Sequence, residues 1–355
     1  MSKKRISWLV AGFVMMAAIG FWWTRGDHRA EVEHVPREEG PETPPLVAAS
    51  VRRSVDPPAA PEAAPVEVVA AARVGPTLPE LLGQPEIKVS TAVLRIVGLS
   101  PKGDYASRSR EVHKLTRRLP RADVETLYAM MRTPVAEQRL SAREFHALRN
   151  DLLDALVEQE SLPEDLGREL LATVRDRAVD VVWRDYCVQH FVPYYTRKWS
   201  TPASTGLDDE REEILSTMWA ASAERHNRIA GTAIMALERL SRDYPEVESS
   251  LVAETALSLA EDEQCDITSR MSATRLCGHM GMREALPAIR DMCRASDVSV
   301  LRRAAVATLA DIGEEGDVVL LDALARDPAV DTRLSAASEA AGKRLRQRLD
   351  AAAGL

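Results

Sequence analysis

The sequence predicts an all-α protein: a right-handed α-solenoid of stacked helical hairpins, preceded by one transmembrane helix and a disordered linker. Three observations predict it. A unit recurs at about 32 residues towards the C-terminus, and a fixed period in that range marks stacked two-helix units rather than one closed core. An uncharged apolar run fills residues 6–23. Between the two lies a stretch, residues 25–85, that holds 11 of the 20 prolines.

The apolar run, ISWLVAGFVMMAAIGFWW, would span roughly 27 Å as a helix, near the thickness of a hydrocarbon core. Trp8 stands near one end and Trp22 and Trp23 at the other, as interfacial aromatics do. Lys3, Lys4 and Arg5 precede it, so the positive-inside rule keeps the N-terminus cytoplasmic and places the bulk of the chain in the periplasm or another extracytoplasmic space. The competing reading is a signal peptide cleaved near Ala18-Ile19-Gly20, which secretes the chain to the periplasm. The length and the terminal Trp pair favour a single-pass anchor over residues 1–24. Residues 25–85, with PETPP, DPPAAPEAAP and GPTLPE, cannot propagate a helix and read as an extended spacer.

The remaining chain reads as irregular repeats over 86–263, then regular repeats and a cap over 264–355. In the best-formed unit Val298, Leu301, Ala305, Leu309 and Ile312 share one helix face, and Gly313 is expected to end the helix in a left-handed conformation. GDVVLLDALARD follows as a second helix. Arg302 aligns with Arg270 about 32 residues earlier and with Arg333 about 31 later. Upstream, Arg184, Arg149 and Arg228 take the same position, while RSREVHKLTRRL in the first unit offers no clear equivalent. The pattern predicts about six hairpins and a polar terminal helix near 330–349.

A hairpin with Asp before its first helix, Arg in the first turn and Gly at the end resembles the HEAT repeat, and the spacing is most similar to the short, lyase-associated HEAT-like repeats. Asp266 with Arg270, and Asp297 with Arg302, carry the resemblance. It implies a right-handed solenoid in which these side chains tie neighbouring repeats together. It is good over 264–342, weaker over about 141–262, and leaves out the first hundred residues. DYASRSREVHKLTRRL and VVWRDYCVQHF also look like stretches of uncharacterised exported HEAT-repeat proteins, which implies no activity.

The charge of −8 is unevenly spread: residues 200–355 carry 18 basic and 27 acidic groups. An acidic surface repels phosphate backbones, so nucleic acid is not an expected partner. Iron-dependent hydroxylases of HEAT architecture use His-Glu pairs, and none of the seven histidines here is followed by Glu. No HExxH, phosphate loop or nucleophile elbow occurs. His190 and His279 read as ordinary polar helix residues. No catalytic residue, cofactor or metal is expected.

Cys187, Cys265, Cys277 and Cys293 match no zinc spacing. Two readings stand: four buried thiols, or at least one disulfide, permitted outside the cytoplasm, with Cys265 in the turn EDEQCD joining it. Seven of the 11 aromatics outside residues 6–23 lie between 183 and 219. VPYYTRKWSTPASTG at 192–206 reads as a long loop breaking a hairpin, either packed on its own repeat or carrying a partner site at Tyr194, Tyr195, Arg197 and Trp199. A helix at 108–121 reads as a solvated basic face, and Asp208 to Glu213 as an acidic helix start that complements the dipole. The expected function is a membrane-anchored, protein-binding scaffold or adaptor whose protein partner the sequence does not identify. The alternatives are ligand or glycan binding through the aromatic loop, or an unrecognised enzyme.

Overall fold

Every described residue beyond the turns lies in a helix, and the helices follow one another as hairpins. The computed structural model describes residues 75–98, 104–135, 139–201 and 207–354. The expected membrane helix at 6–23, and the spacer up to residue 74, lie outside the described residues. Among the described residues no helix is long and apolar enough to cross a membrane.

Two short helices come first, α1 (Leu78–Leu82) and α2 (Thr91–Ile96). The first corrects the expected end of the spacer. Thr77 and Glu80 form a capping box, and Leu81 is buried, with α1 set against the helix Arg121–Arg132. Six two-helix repeats follow in chain order: α3 (Tyr105–Val112) and α4 (Arg121–Arg132), α5 (Ala142–Val157) and α6 (Leu166–Arg175), α7 (Val181–Lys198) and α8 (Asp209–Ser222), α9 (Ile229–Ser241) and α10 (Ser249–Glu261), α11 (Ile267–His279) and α12 (Leu286–Ala295), and α13 (Ser299–Ile312) and α14 (Glu315–Arg326). From α6 on, each second helix packs closely on the first helix of the next repeat. The terminal helix α15 (Thr332–Ala353) closes the series. It buries Leu334, Ser338, Ala341, Gly342 and Leu345 and turns Glu339, Lys343, Arg344 and Gln347 outward, as an end cap requires.

The period has a physical cause that joins cap to clamp. Asp104, Asp180, Asp266 and Asp331 each cap a first helix, their carboxylates accepting backbone N–H groups of the first turn. Four residues on, a side chain reaches back to a carbonyl near the C-terminus of the preceding helix, where four carbonyls have no intrahelical partner. Arg108 Nε donates to Ile96 O, Arg184 Nε to Val174 O at 2.9 Å, and Arg270 Nε to Ala260 O at 2.9 Å. Arg302 Nε donates to Cys293 O at 3.1 Å, and Ser335 Oγ to Ala325 O at 2.6 Å. Each clamp fixes a first helix onto the hairpin before it.

This rule corrects the sequence alignment at five places. Arg108 is the first unit's equivalent, and it lies in a helix that ends at Val112, so the expected basic helix at 108–121 is two separate pieces. Arg149 comes one turn later than the others; its NH2 donates to Thr133 O at 2.6 Å and its guanidinium lies 4.1 Å above the Phe145 ring and 5.0 Å from Trp183. Arg228 stands at the start of α9, 3.4 Å from Asp185, and Gly231 takes the clamp position. Arg333 precedes the clamp residue, Ser335, by two. Asp297 lies just outside the cap position, which Val298 holds.

First helices stack on one another from α3 to α15, more tightly than the second helices do. Small residues allow it. Gly231 N–H donates to Ser269 Oγ at 2.8 Å, and a Cβ at Gly231 would lie 2.6 Å from Ser269 Cα. One step on, Thr308 Oγ1 donates to Thr274 O at 3.0 Å. Glycine works differently at the helix ends. Gly281 is left-handed at φ +72°, whereas Gly313, expected to be left-handed, is extended at φ −60° and is required because a Cβ would meet Leu309 O at 2.4 Å.

Candidate functional site

The region expected to be a long aromatic loop is helix as far as Lys198. Pro193 sits inside α7 on an exposed side and has no backbone N–H to give the preceding turn. Tyr194 and Tyr195 are buried, with relative exposures of 1% and 0%. Trp199 is half-buried against the core. Their rings pack together: Tyr195 lies 4.9 Å from Trp199 and 5.0 Å from Tyr244. Each ring's own polar atom is engaged. Tyr194 donates to Glu210, which also holds Lys198. Tyr195 OH donates to Glu246 at 2.8 Å and accepts from Arg211 Nε at 2.7 Å. Trp199 Nε1 donates to Asp208 at 2.7 Å, and Arg197 reaches back to the Gln159 carbonyl. Arg211 lies within 5.1 to 5.7 Å of the Tyr195, Tyr244 and Trp199 rings.

The expected partner site is therefore internal packing. Of Tyr194, Tyr195, Arg197 and Trp199, only Arg197 is well exposed, and it is bonded to the protein. The physical reason is that two adjacent tyrosines on a continued helix can both turn inward when α8 supplies carboxylate and guanidinium partners for their hydroxyls. The acidic start of α8, expected from the sequence only to complement the helix dipole, also supplies Asp208 as the cap and Glu210 as the partner of Tyr194 and Lys198. The four cysteines are all free and buried, Cys265 included, so no disulfide joins the repeats. Burial pushes the Cys277 and Cys293 thiols up to about 12, far from the thiolate form that nucleophilic chemistry needs.

A second constellation lies along α3, α5 and α7. Ser109 Oγ donates to Asp151 at 2.8 Å. His190 bridges α7 to α5, with Nδ1 2.8 Å from Tyr186 O and Nε2 3.1 Å from Asp154. Asp185 is 3% exposed; its Oδ2 accepts from Gln189 at 3.2 Å and lies 3.4 Å from Arg228, while Oδ1 is buried without a hydrogen-bond partner. Burial raises the Asp151 carboxyl above the usual range against the Ser109 hydrogen bond, and raises Asp185 against Thr232, Arg228 and Gln189. Asp151 in turn helps raise the phenols of Tyr105 and Tyr186, which are first raised by burial. Of these residues the sequence reading held His190 as an ordinary polar helix residue and Arg228 as a repeat position; Asp151, Asp154 and Asp185 were absent from it. The available signal was Asp151 and Asp154 three apart in LRNDLLDAL, off the face that buries Leu148, Leu152 and Leu156.

A third buried group joins α4 and α6: Arg132 lies 3.4 Å from Glu169, whose carboxyl burial pushes up to about 7 despite the guanidinium. Among the described residues no set of three His, Cys, Asp or Glu side chains could hold a metal ion.

Comparison with curated proteins finds no significant match. Among solved structures, human deoxyhypusine hydroxylase in complex with glycerol is similar over 76% of this chain and 97% of its own, at 15% identity and a TM-score of 0.30, too slight a likeness to carry an argument. Residues 253–342, from α10 into α15, match the HEAT repeats family, which covers the stretch 264–342 where the resemblance read from the sequence is good and begins 11 residues before it.

Proposed function

We propose that the chain is a protein-binding scaffold or adaptor, held at a membrane by residues 6–23 with its repeats on the extracytoplasmic side. The observation that carries this reading is the unbroken series of stacked first helices from α3 to α15, a continuous surface on which a partner could lie. The HEAT match over 253–342 supports the scaffold half of the proposal, since repeats of this kind stack into extended binding surfaces. The anchor and the extracytoplasmic location rest on the sequence alone: the apolar run, its flanking Trp and basic residues, and a proline-rich spacer that would hold the repeats away from a bilayer. No reaction is assigned.

The test is site-specific photo-crosslinking of the full-length chain in its own cells, with the crosslinker at Gln189 on α7 or at Arg275 on α11, both exposed. The expected result is one recurring protein, identified by mass spectrometry, that also binds when purified. Absence of a recurring adduct at both positions overturns the scaffold reading. Recovery of the chain without residues 1–24 in a soluble fraction overturns the anchor.

A further inference from the structure

We propose that His146 makes the contact between α5 and α7 an acid-sensitive joint: a proton added to its ring loosens this contact while the later repeats stay closed. The joint is a property of the fold and does not depend on the scaffold reading. His146, on α5, is 4% exposed. Its Nε2 lies 3.3 Å from Asp180 Oδ1, and that same oxygen caps α7 by accepting from Val182 N at 2.8 Å and Trp183 N at 3.3 Å. Its Nδ1 is buried without a hydrogen-bond partner. These contacts suit a neutral ring, with the hydrogen on Nε2 facing the carboxylate and a bare lone pair on Nδ1. A second proton has to go on Nδ1, where it becomes a buried donor with no acceptor.

The charges around the ring oppose one another. Asp180, from α7, attracts a proton, but it is half exposed and already engaged as the cap. Arg149, one turn along α5 and 4% exposed, repels one. Its guanidinium is fixed against the Phe145 and Trp183 rings and by the Thr133 carbonyl at the end of α4. α3 meets α5 further on, where Ser109 bonds Asp151. Burial holds the His146 ring below the ordinary histidine value, with Asp180 pulling it up and Arg149 pushing it down. A folded value below the unfolded one contributes stability that is complete above about pH 6.5 and is lost as pH falls. Glu169 has the opposite sign, since its contribution is lost as pH rises. His190 crosses the same helix pair differently: each of its ring nitrogens faces an oxygen, one of Tyr186 and one of Asp154. Each repeat of a solenoid touches only its neighbours, so one joint can loosen without opening the others.

Cys187 reports on the joint, being 1% exposed on α7 and within reach of the Arg149 charge. The experiment is thiol labelling of the full-length chain in mild detergent with dithiodipyridine, from about pH 7.5 to about pH 5, with the labelled peptides quantified by mass spectrometry. The rate at Cys187 is divided by the rate at Cys277, buried on α11 in the same sample, which cancels the reagent's own pH dependence. The expected result is a ratio that rises roughly threefold or more on acidification. H146Q should flatten the rise and H190Q should leave it. D180N keeps a capping side chain but removes the countercharge, so it should enlarge the rise. A flat ratio in the unaltered chain overturns the proposal, whether both rates stay constant or both climb as the whole array opens. A rise that survives H146Q, or one that is lost in H190Q or in D180N, overturns it as well.

Discussion

The hairpins on either side of Ser222 solve the same stacking problem with different side chains. In α9 to α13 the first helices approach through Gly231, Ser269, Ala273, Gly278 and Ala305, with an amide-to-hydroxyl bond at the first step and a hydroxyl-to-carbonyl bond at the second. In α5 to α8 they are held apart and filled by Phe145, Trp183, Phe191, Tyr194 and Tyr195, with the buried ions Arg149, Arg184 and Arg211 among them. Arg184 shows the added layer most clearly: besides the clamp to Val174 O it takes Glu224 with both terminal nitrogens. The lesson is that the backbone clamp sets the period in both halves, whereas packing between the clamps is free to vary. The half with small residues keeps a readable repeat, and the half with large ones loses it.

The largest expected effect tests whether the bulky half depends on its inward tyrosines. Tyr195→Ala should destabilise the fold by about 4 kcal/mol, from the cavity and from the loss of the hydroxyl shared by Arg211 and Glu246. Tyr195→Phe should cost about 1–2 kcal/mol. Urea unfolding followed by circular dichroism measures both. Near-zero values for both would mean that the rings do not carry this half.

The next effect concerns pH and belongs to the bulky half alone. The folded Glu169 carboxyl sits near 7, above its unfolded value. Its contribution is therefore complete below about pH 4.5 and is lost as pH rises through about 7, a change of up to about 3 kcal/mol. Glu169→Gln removes this titration. Subtracting the variant's unfolding free energy from that of the unaltered chain should yield a difference that falls from pH 4.5 to 8. A flat difference would show that Arg132 keeps the carboxylate charged throughout.

The smallest effect sharpens the other half. Gly231→Ala should cost about 1–3 kcal/mol, because the Cβ meets the Ser269 backbone. Gly316→Ala, in a helix with open space around it, should be neutral or stabilising by up to about 1 kcal/mol. If thermal unfolding ranks the two alike, close approach is not what distinguishes α9 to α13.

The amino-acid pattern by itself determined the all-α class, the approximate number of repeats and the polar end helix, because cap residues and apolar spacing at three and four act within a single turn. It also marked Arg184, Arg270 and Arg302, whose fixed distance from the cap makes them visible at the repeat period. It missed α1, the break after Val112 and the helical course of 192–198. Tertiary structure decided where the remaining side chains went. Whether Tyr194 and Tyr195 face solvent depends on Glu210, Arg211 and Glu246, 16 to 51 positions from the tyrosines they bond, and no local pattern contains that information. The same holds for Arg108, recognisable as a clamp only by its reach to Ile96, and for Asp151, Asp154 and Asp185, which share one seam because successive first helices stack. Local spacing fixes a helix face; which charges meet across faces is settled by packing.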